Sequence, residues 1–213
     1  MSALPISKNY IASLIPKGAA ILDVGSFDGR DAIELANACQ TEVHCFEPYP
    51  ASFEAIKLQR DPRLTAWPYA LASYHGNGWL TVAKGHAQSN TIKQPLIHRK
   101  VWPSIKFHNH QIAIKVTTLD LWNEKIRNGA PVDFIWCDVN GAEEHFILGG
   151  VQTLAKTKYL YSEFCVKELF DKAMDKERFC KALPGFELIG EFNVGKNFGN
   201  LLFKNKNEGL WIS

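Results

Sequence analysis

The chain has 213 residues, of which 46% are hydrophobic and 22% charged, and its formal net charge is +2. The length fits one large α/β domain, and the composition excludes a disordered or fibrous chain. No apolar run is long enough to span a bilayer, and the first residues lack the basic and apolar regions of a secretory signal. We therefore expect a single domain over residues 1–213, in the cytoplasm and without a membrane partner.

Apolar runs alternate with helical patterns along the chain. The predicted strands cover residues 19–24, 42–46, 64–67, 79–82, 112–117, 132–139, 158–164, 186–192 and 200–204. The predicted helices cover residues 30–38, 51–59, 119–127, a segment from about 142, and roughly 167–183. This order is typical of a doubly wound α/β fold with a mostly parallel sheet covered on both faces. The last two strands are joined by a short turn, which predicts an antiparallel C-terminal strand.

The five cysteines are odd in number and never form a Cys-x-x-Cys pair. They are Cys39, Cys45, Cys137, Cys165 and Cys180. Three of them lie inside apolar strand-like runs, which favours buried free thiols over disulfides or a zinc site. We expect a reducing compartment and no bound metal.

Residues 21–31, ILDVGSFDGRD, have the pattern of a strand, a glycine-rich turn and the start of a helix. In such sheets ligands bind beyond the carboxyl ends of the strands, and glycine lets the backbone approach a ligand closely. We expect the cofactor contacts of this segment to come from Asp23, Gly25, Ser26, Phe27, Asp28 and Gly29.

The spacing and charge of this turn distinguish between two classes of cofactor. A dinucleotide usually needs Gly-x-Gly-x-x-Gly, whereas Gly25 and Gly29 give Gly-x-x-x-Gly, and the carboxylates of Asp23 and Asp28 are poor neighbours for a pyrophosphate. They suit S-adenosylmethionine (SAM), which carries an ammonium and a sulfonium. Glu47 ends the second strand 18 residues after Gly29, where a carboxylate can accept hydrogen bonds from both ribose hydroxyls. An NAD-linked oxidoreductase is the weaker alternative.

A stretch of the chain between Asp61 and Asp120 contains no acidic residue. Its centre is a basic insertion at about 84–111, which we expect on the ligand side of the sheet. The candidate substrate-binding residues there are Arg99, Lys100, Trp102 and Lys106. Cations interleaved with aromatic rings suit an anionic or sugar-phosphate substrate, and nucleic acid is the less favoured partner. A solvated surface loop is the alternative interpretation.

Four segments together resemble the FkbM family of methyltransferases. They are ILDVGSFDGRD (21–31), VHCFEPYPASFEAIK (43–57), TTLDLW (117–122) and VDFIWCDVNGAEEHFILGG (132–150), and GNLLFKN (199–205) is similar to the family's last strand. The resemblance implies a Rossmann-like, seven-stranded class I methyltransferase fold. It also implies SAM-dependent methyl transfer, usually to a hydroxyl oxygen of a sugar, polyketide or other small natural product.

The resemblance also implies roles for single residues. Asp23, Gly25 and Gly29 would line the methionine end of SAM, and Glu47 the ribose, with Pro48 as a further cofactor contact. Ala70 and Leu71 would pass near the adenine, and Asp138 would lie beside the transferred methyl. Two positions depart from the family pattern: Trp136 stands where a lysine is usual, and Asn140 where a glutamate is usual. These departures leave a non-catalytic SAM-binding module as an alternative function.

A hydroxyl acceptor needs a base within hydrogen-bond reach. Asp138 is the first candidate, because it follows a strand at the mouth of the predicted crevice, and Glu143, His145 and Glu163 are further candidates. An amine acceptor stays open, but Asp138-Val139-Asn140-Gly141 is not the Asp/Asn-Pro-Pro-Tyr/Phe motif of enzymes that methylate bases.

Overall fold

A computed structural model describes residues 5–207 of the chain. The strands are β1 (Ile21–Val24), β2 (Val43–Phe46), β3 (Leu64–Trp67), β4 (Tyr69–Leu71), β5 (Gly76–Ala83), β6 (Phe107–Thr117), β7 (Val132–Cys137), β8 (Thr157–Cys165), β9 (Phe186–Phe192) and β10 (Phe198–Asn205). The α-helices are α1 (Lys8–Leu14), α2 (Arg30–Cys39), α3 (Pro50–Leu58), α4 (His98–Val101), α5 (Leu119–Arg127), α6 (Glu143–Leu148), α7 (Val151–Ala155) and α8 (Lys176–Ala182), and a 3₁₀ turn covers Ala87–Ser89.

Seven strands form the main sheet in the order β3-β2-β1-β7-β8-β10-β9. The pairs β1–β2, β2–β3, β1–β7 and β7–β8 are parallel, whereas β10 runs antiparallel to both β8 and β9. The predicted mostly parallel sheet with a reversed C-terminal strand is therefore confirmed. Successive strands extend from β1 towards β3 and then from β7 towards β9, so the strand order reverses between β1 and β7, where ligands bind in folds of this kind.

Two predicted strands lie outside the main sheet. Residues 79–82 and 112–117 belong to β5 and β6, which form a three-stranded sheet in the order β4-β6-β5. The burial pattern explains the difference, because β5 exposes Trp79 and buries Leu80, as expected for a sheet with one covered face. β6 pairs with β4 through Leu71 and Thr117, which holds the small sheet beside the carboxyl end of the main one.

The predicted helix over 167–183 is wrong in its first half. Helix α8 starts only after Asp175, whose side chain accepts a hydrogen bond from the Arg178 amide. The preceding residues pair with the insertion instead: Phe170 forms a β-bridge with Pro95, and the Leu96 amide donates to the carbonyl oxygen of residue 169. The structure also adds helix α1, which was not predicted.

Two residues in the segments that resemble the FkbM family stabilise the fold and do not line the cleft. The Asp120 carboxylate accepts hydrogen bonds from the amides of Gln152 and Thr153 at 3.0 and 2.7 Å, and so caps the start of α7. The buried Asn205 amide nitrogen donates to three carbonyls within residues 154–157, at 2.9 to 3.3 Å. These bonds join the end of β10 to the turn before β8.

All five cysteines are free thiols, and four are buried, with Cys180 exposed. The prediction of buried free thiols is therefore confirmed for all but Cys180. Among residues 5–207, no helix combines the length and the apolar character needed to cross a bilayer.

Candidate functional site

A cleft of about 370 Å³ opens at the carboxyl ends of β1, β2 and β7. One wall comes from the turn after β1, a second from the end of β2 with β4, and a third from the segment after β7. The switch in strand order creates this crevice, because the connections leave β1 and β7 towards opposite sides of the sheet. Within residues 5–207, no group of three His, Cys, Asp or Glu side chains is arranged to hold a metal ion.

The turn after β1 packs directly against the segment after β7. Gly25 has φ of +87°, and a Cβ at this position would lie 1.8 Å from the carbonyl oxygen of Asp138. The amides of Gly25 and Ser26 both donate to the Phe46 carbonyl oxygen, at 3.0 and 3.1 Å. Only glycine fits this conformation and this contact without displacing the backbone of residue 138. Gly29, with φ of +81°, is the N-cap of α2 and does not line the cleft.

Asp23 is the most buried acid of the cleft, with 1% of its surface exposed. Its Oδ2 atom has no hydrogen-bond partner among the described residues. The pKa of Asp23 is raised to about 7, mainly by burial and also by the charges of Asp31 and Asp138, against the lowering effects of Ser26 and Lys8. A buried carboxylate oxygen without a partner is costly and indicates that a donor or a cation is missing from the protein's own contacts.

Glu47 bridges the two loops that form the cleft. One carboxylate oxygen accepts from the Phe27 amide at 2.9 Å, and the other accepts from the Tyr49 amide at 2.8 Å. Burial raises the pKa of Glu47 to about 7, against the lowering effect of these two bonds. Each oxygen keeps a lone pair, so the carboxylate is able to accept two further hydrogen bonds from a diol. Pro48, Ala70 and Leu71 line the cleft beside it, where the sequence predicted cofactor contacts.

Asp138 follows β7 and opens into the cleft. Its amide donates to the Val24 carbonyl oxygen at 2.9 Å, and the residue lines the cleft wall. The pKa of Asp138 is raised to about 6, mainly by desolvation within the cleft and also by the charge of Asp31, against the lowering effect of a hydrogen bond from the Asn140 amide. An acid with a pKa near 6 is ionised at neutral pH and is basic enough to accept a proton from a polarised hydroxyl.

The other three candidate bases do not line the cleft. The buried Glu143 accepts from the Gly141 amide at 3.1 Å, so it holds the turn before α6. His145 pairs its Nδ1 with the Ser73 hydroxyl at 3.1 Å, and Glu163 lies within β8 opposite Asn200. Burial, together with the charges of Asp138 and Glu143, raises the pKa of Glu163 well above its ordinary value.

The four candidate substrate-binding residues also lie outside the cleft lining. The insertion turns them away, because α4 packs on the segment after β8 rather than over the turn after β1. Trp102 packs against His98 and Phe198, with ring centroids 4.8 and 6.1 Å apart. The guanidinium of Arg99 lies 5.6 Å from the centroid of the Phe107 ring, and Lys100 and Lys106 are exposed to solvent.

An earlier part of the same insertion does line the cleft and was not singled out from the sequence. Residues 87, 88 and 90–92 contribute to its wall. The Thr91 hydroxyl donates to the Asn140 carbonyl oxygen at 2.8 Å, and the Asn140 amide nitrogen donates to the Gln88 carbonyl oxygen at 2.8 Å. Asn140, one of the two departures from the family pattern, therefore joins this wall to the segment after β7. The absence of acids from the insertion was the only sequence signal that pointed to the wall.

The other departure, Trp136, also lines the cleft, together with Arg30, Asp31 and Glu34 of α2. None of these four was among the predicted contacts. Strand β7 places the Trp136 ring beside Tyr161, with centroids 4.3 Å apart.

The fold and the cleft at its switch point are those of a Rossmann-like class I methyltransferase. The family profile described as "Methyltransferase FkbM domain" matches residues 23–181, and the chain therefore belongs to the FkbM methyltransferase family.

Named relatives support this assignment. Over 213 residues, covering 96% of this chain and 86% of the relative, the chain is 29% identical to 2-O-methyltransferase NoeI of Sinorhizobium fredii (strain NBRC 101917 / NGR234). Solved structures share the fold at low sequence identity. Magnesium protoporphyrin IX methyltransferase (ChlM) of Synechocystis PCC 6803, with bound SAM, has a TM-score of 0.50 at 15% identity, covering 93% of this chain and 74% of that one. A putative rRNA methylase of Clostridium thermocellum has a TM-score of 0.52 at 11% identity, covering 93% and 92%.

Proposed function

We propose that the chain transfers a methyl group from SAM to a hydroxyl oxygen of a sugar or a similar small molecule. The observation that carries this proposal is the unpartnered Oδ2 of Asp23 in the same cleft as Glu47, whose two oxygens each keep one lone pair. The printed name of the relative from Sinorhizobium fredii, a 2-O-methyltransferase, supports oxygen as the acceptor atom.

The residues present fit SAM as a cofactor. Asp23 would accept the ammonium of its methionine part, and this contact would give the orphaned oxygen its missing partner. Glu47 would accept the two ribose hydroxyls, while Ala70 and Leu71 would contact the adenine. Gly25 keeps the turn beneath the ligand free of a side chain. A pyrophosphate would instead meet the carboxylates of Asp23, Asp28 and Glu47 in this cleft, which disfavours a dinucleotide.

Asp138 is the base that we assign to the reaction. When bound, SAM supplies a methyl group attached to a sulfonium sulfur, and the sulfur becomes a neutral thioether when the methyl group is transferred. Asp138 takes the proton of the acceptor hydroxyl while that oxygen forms its new bond to carbon. The protein also holds the acceptor hydroxyl in line with the methyl group. This orientation lowers the activation barrier by several kcal/mol, out of the roughly 7–11 kcal/mol that orientation can supply.

The acceptor side of the cleft is polar and carries no basic side chain from the insertion. Gln88, Asn90 and Thr91 line this wall, next to the segment that carries Asp138. Amide and hydroxyl groups suit the many hydroxyls of a sugar. With Arg99, Lys100, Trp102 and Lys106 away from the cleft, a neutral acceptor fits this wall better than an anionic one.

The proposal is tested by ligand binding followed by turnover. We expect S-adenosylhomocysteine (SAH) to raise the melting temperature of the wild-type chain, and expect Asp23→Ala and Glu47→Ala to abolish that shift. Glu54→Ala is the matched control, since this acid lies on the exposed surface of α3. Transfer of labelled methyl from SAM to a panel of sugars should then follow, and Asp138→Asn should abolish transfer but not binding.

Three results contradict the proposal in different ways. A melting shift with NAD but not with SAH would indicate an oxidoreductase. Binding of SAH without methyl transfer to any hydroxyl compound of the panel would indicate a non-catalytic module. Transfer to amines alone would overturn the acceptor atom and leave the cofactor assignment intact.

A further inference from the structure

A lysine from α1 reaches the cleft wall formed by Trp136. The Lys8 ammonium lies 3.4 Å from the centroid of the Trp136 ring, close enough for a strong cation–π contact. Trp136 is the position where the family usually has a lysine. Helix α1 begins at Lys8 and thus brings a lysine ammonium to the Trp136 ring, at the position where the family usually carries a lysine of its own.

The same ammonium also contacts two acids of α2. It pairs with Oδ1 of Asp31 at 2.5 Å and lies 3.9 Å from Oε2 of Glu34. Only 13% of the Lys8 side chain is exposed, whereas 52% of Asp31 and 65% of Glu34 is exposed. One largely buried cation therefore faces two acids that line the cleft, and Arg30, the neighbouring cation, pairs with Asp28 instead.

These contacts bear on the ionisation of the acids inside the cleft. The charge of Asp31 raises the pKa of both Asp23 and Asp138, and the charge of Lys8 lowers that of Asp23. The groups that face Asp23 from the elements around it are Lys8, Ser26, Asp31, Cys45, Cys137 and Asp138. Among them, Lys8 is the only cation.

We propose that Lys8 is a positioning residue of the methyl-donor site, which holds the Trp136 ring in the cleft wall and neutralises Asp31 so that Asp23 meets the donor's ammonium as a carboxylate. This inference rests on the proposed function, because it assigns the cation to the cofactor that we propose. Lys8 does not line the cleft, so it acts through Asp31 and Trp136.

The test measures SAH affinity by calorimetry between about pH 6 and pH 8.5, across the pKa of Asp23 at about 7. An ammonium ligand binds the ionised form of Asp23, so the affinity falls as the pH drops through that value. Lys8→Met removes the charge that lowers this pKa, so we expect the fall to begin at higher pH. At about pH 6.5 the variant should bind SAH roughly three- to tenfold more weakly than wild type, and the difference should shrink towards pH 8.5. Any titration of the free SAH ammonium is the same for both proteins, so its effect cancels in the ratio.

Two further variants separate charge from structure. Lys8→Arg should bind SAH like wild type, and Lys8→Met/Asp31→Asn should recover most of the lost affinity, because the acid that Lys8 neutralises is then absent. Lys57→Met is the matched control: Lys57 also pairs with an acid, Glu54, and lies 5.4 Å from the Phe53 ring centroid, but away from the cleft.

The outcomes are distinct. If Lys8→Met binds SAH like wild type at every pH, the role of Lys8 is overturned while SAM binding stands. The role is also overturned by a loss that is equal at all pH values and is not recovered in the double variant, since that pattern indicates a structural contact alone. If the wild-type chain does not bind SAH at all, the proposed function fails and this role fails with it.

Discussion

The buried carboxylate of Asp23 should lower the free energy of unfolding of the ligand-free protein, so a variant without this charge should be more stable. The pKa of Asp23 rises from 3.8 to about 7 in the folded chain. For an acid with a raised folded-state pKa, folding favours the protonated form. Its stabilising contribution is therefore complete below about pH 4 and is lost as the pH rises to about 7. Each pH unit between the two values changes the free energy of unfolding by about 1.4 kcal/mol, or about 4 kcal/mol in all.

The perturbation is Asp23→Asn, which keeps the shape of the side chain and removes its charge. The amide is left without a partner at the same buried position, at about 1–3 kcal/mol, so the net gain in unfolding free energy at pH 7.5 should be about 2 kcal/mol. The variant should also lose its affinity for SAH, because the ammonium no longer meets a carboxylate.

Urea unfolding of dialysed protein at about pH 7.5 and pH 4.5 measures this effect, with the difference between variant and wild type shrinking or reversing at the lower pH. Asp28→Asn is the control, since that side chain lies in the same turn but pairs with the exposed Arg30. A variant that is less stable than wild type by the same amount at both pH values would refute the reasoning.

Other predictions concern the backbone contacts and the base. Gly25→Ala should destabilise the chain by about 3 kcal/mol or more and abolish SAH binding, as seen by thermal melting, because its Cβ would lie 1.8 Å from the Asp138 carbonyl oxygen at a φ of +87°. Methyl transfer by the wild-type chain should rise with pH through about 6 as Asp138 ionises, and a pH–rate profile measures this dependence. Thr91→Val should speed hydrogen exchange in residues 84–92 without a matching loss in global stability, because the Asn140 carbonyl loses its donor. Asn205→Leu should lower the unfolding free energy by about 2–4 kcal/mol in urea titrations, because three carbonyls lose a buried donor.

The central sheet and the cofactor turn were predictable because their signals are local. An apolar strand such as β1, with Ile21, Leu22 and Val24 fully buried, is apolar along its whole length, and a turn glycine is visible in the chain itself. Asp23, Gly25 and Glu47 follow from strand ends and spacing alone. All three line the cleft in the structure.

The remainder depends on contacts between distant parts of the chain. Sequence shows that Trp102 is aromatic and Arg99 basic, but the bridge between Pro95 and Phe170 decides which way the insertion turns. That bridge also replaces the first half of the helix predicted over 167–183. Likewise, Lys8 and Trp136 are in contact although 128 positions separate them in the sequence, and no local sequence pattern predicts this contact.

The hydrogen bonds between Asn140 and residues 88 and 91 join two parts of the molecule that belong to different sheets. The floor of the cleft belongs to the seven-stranded sheet, whereas the wall at 87–92 belongs to a connection between β5 and β6 of the small sheet. Exchanging residues 84–106 between relatives would therefore replace one side of the cavity as a unit and leave the strand order untouched. Under the proposed function this wall contacts the acceptor, so a new substrate preference would require new residues in this surface connection rather than a redesigned core.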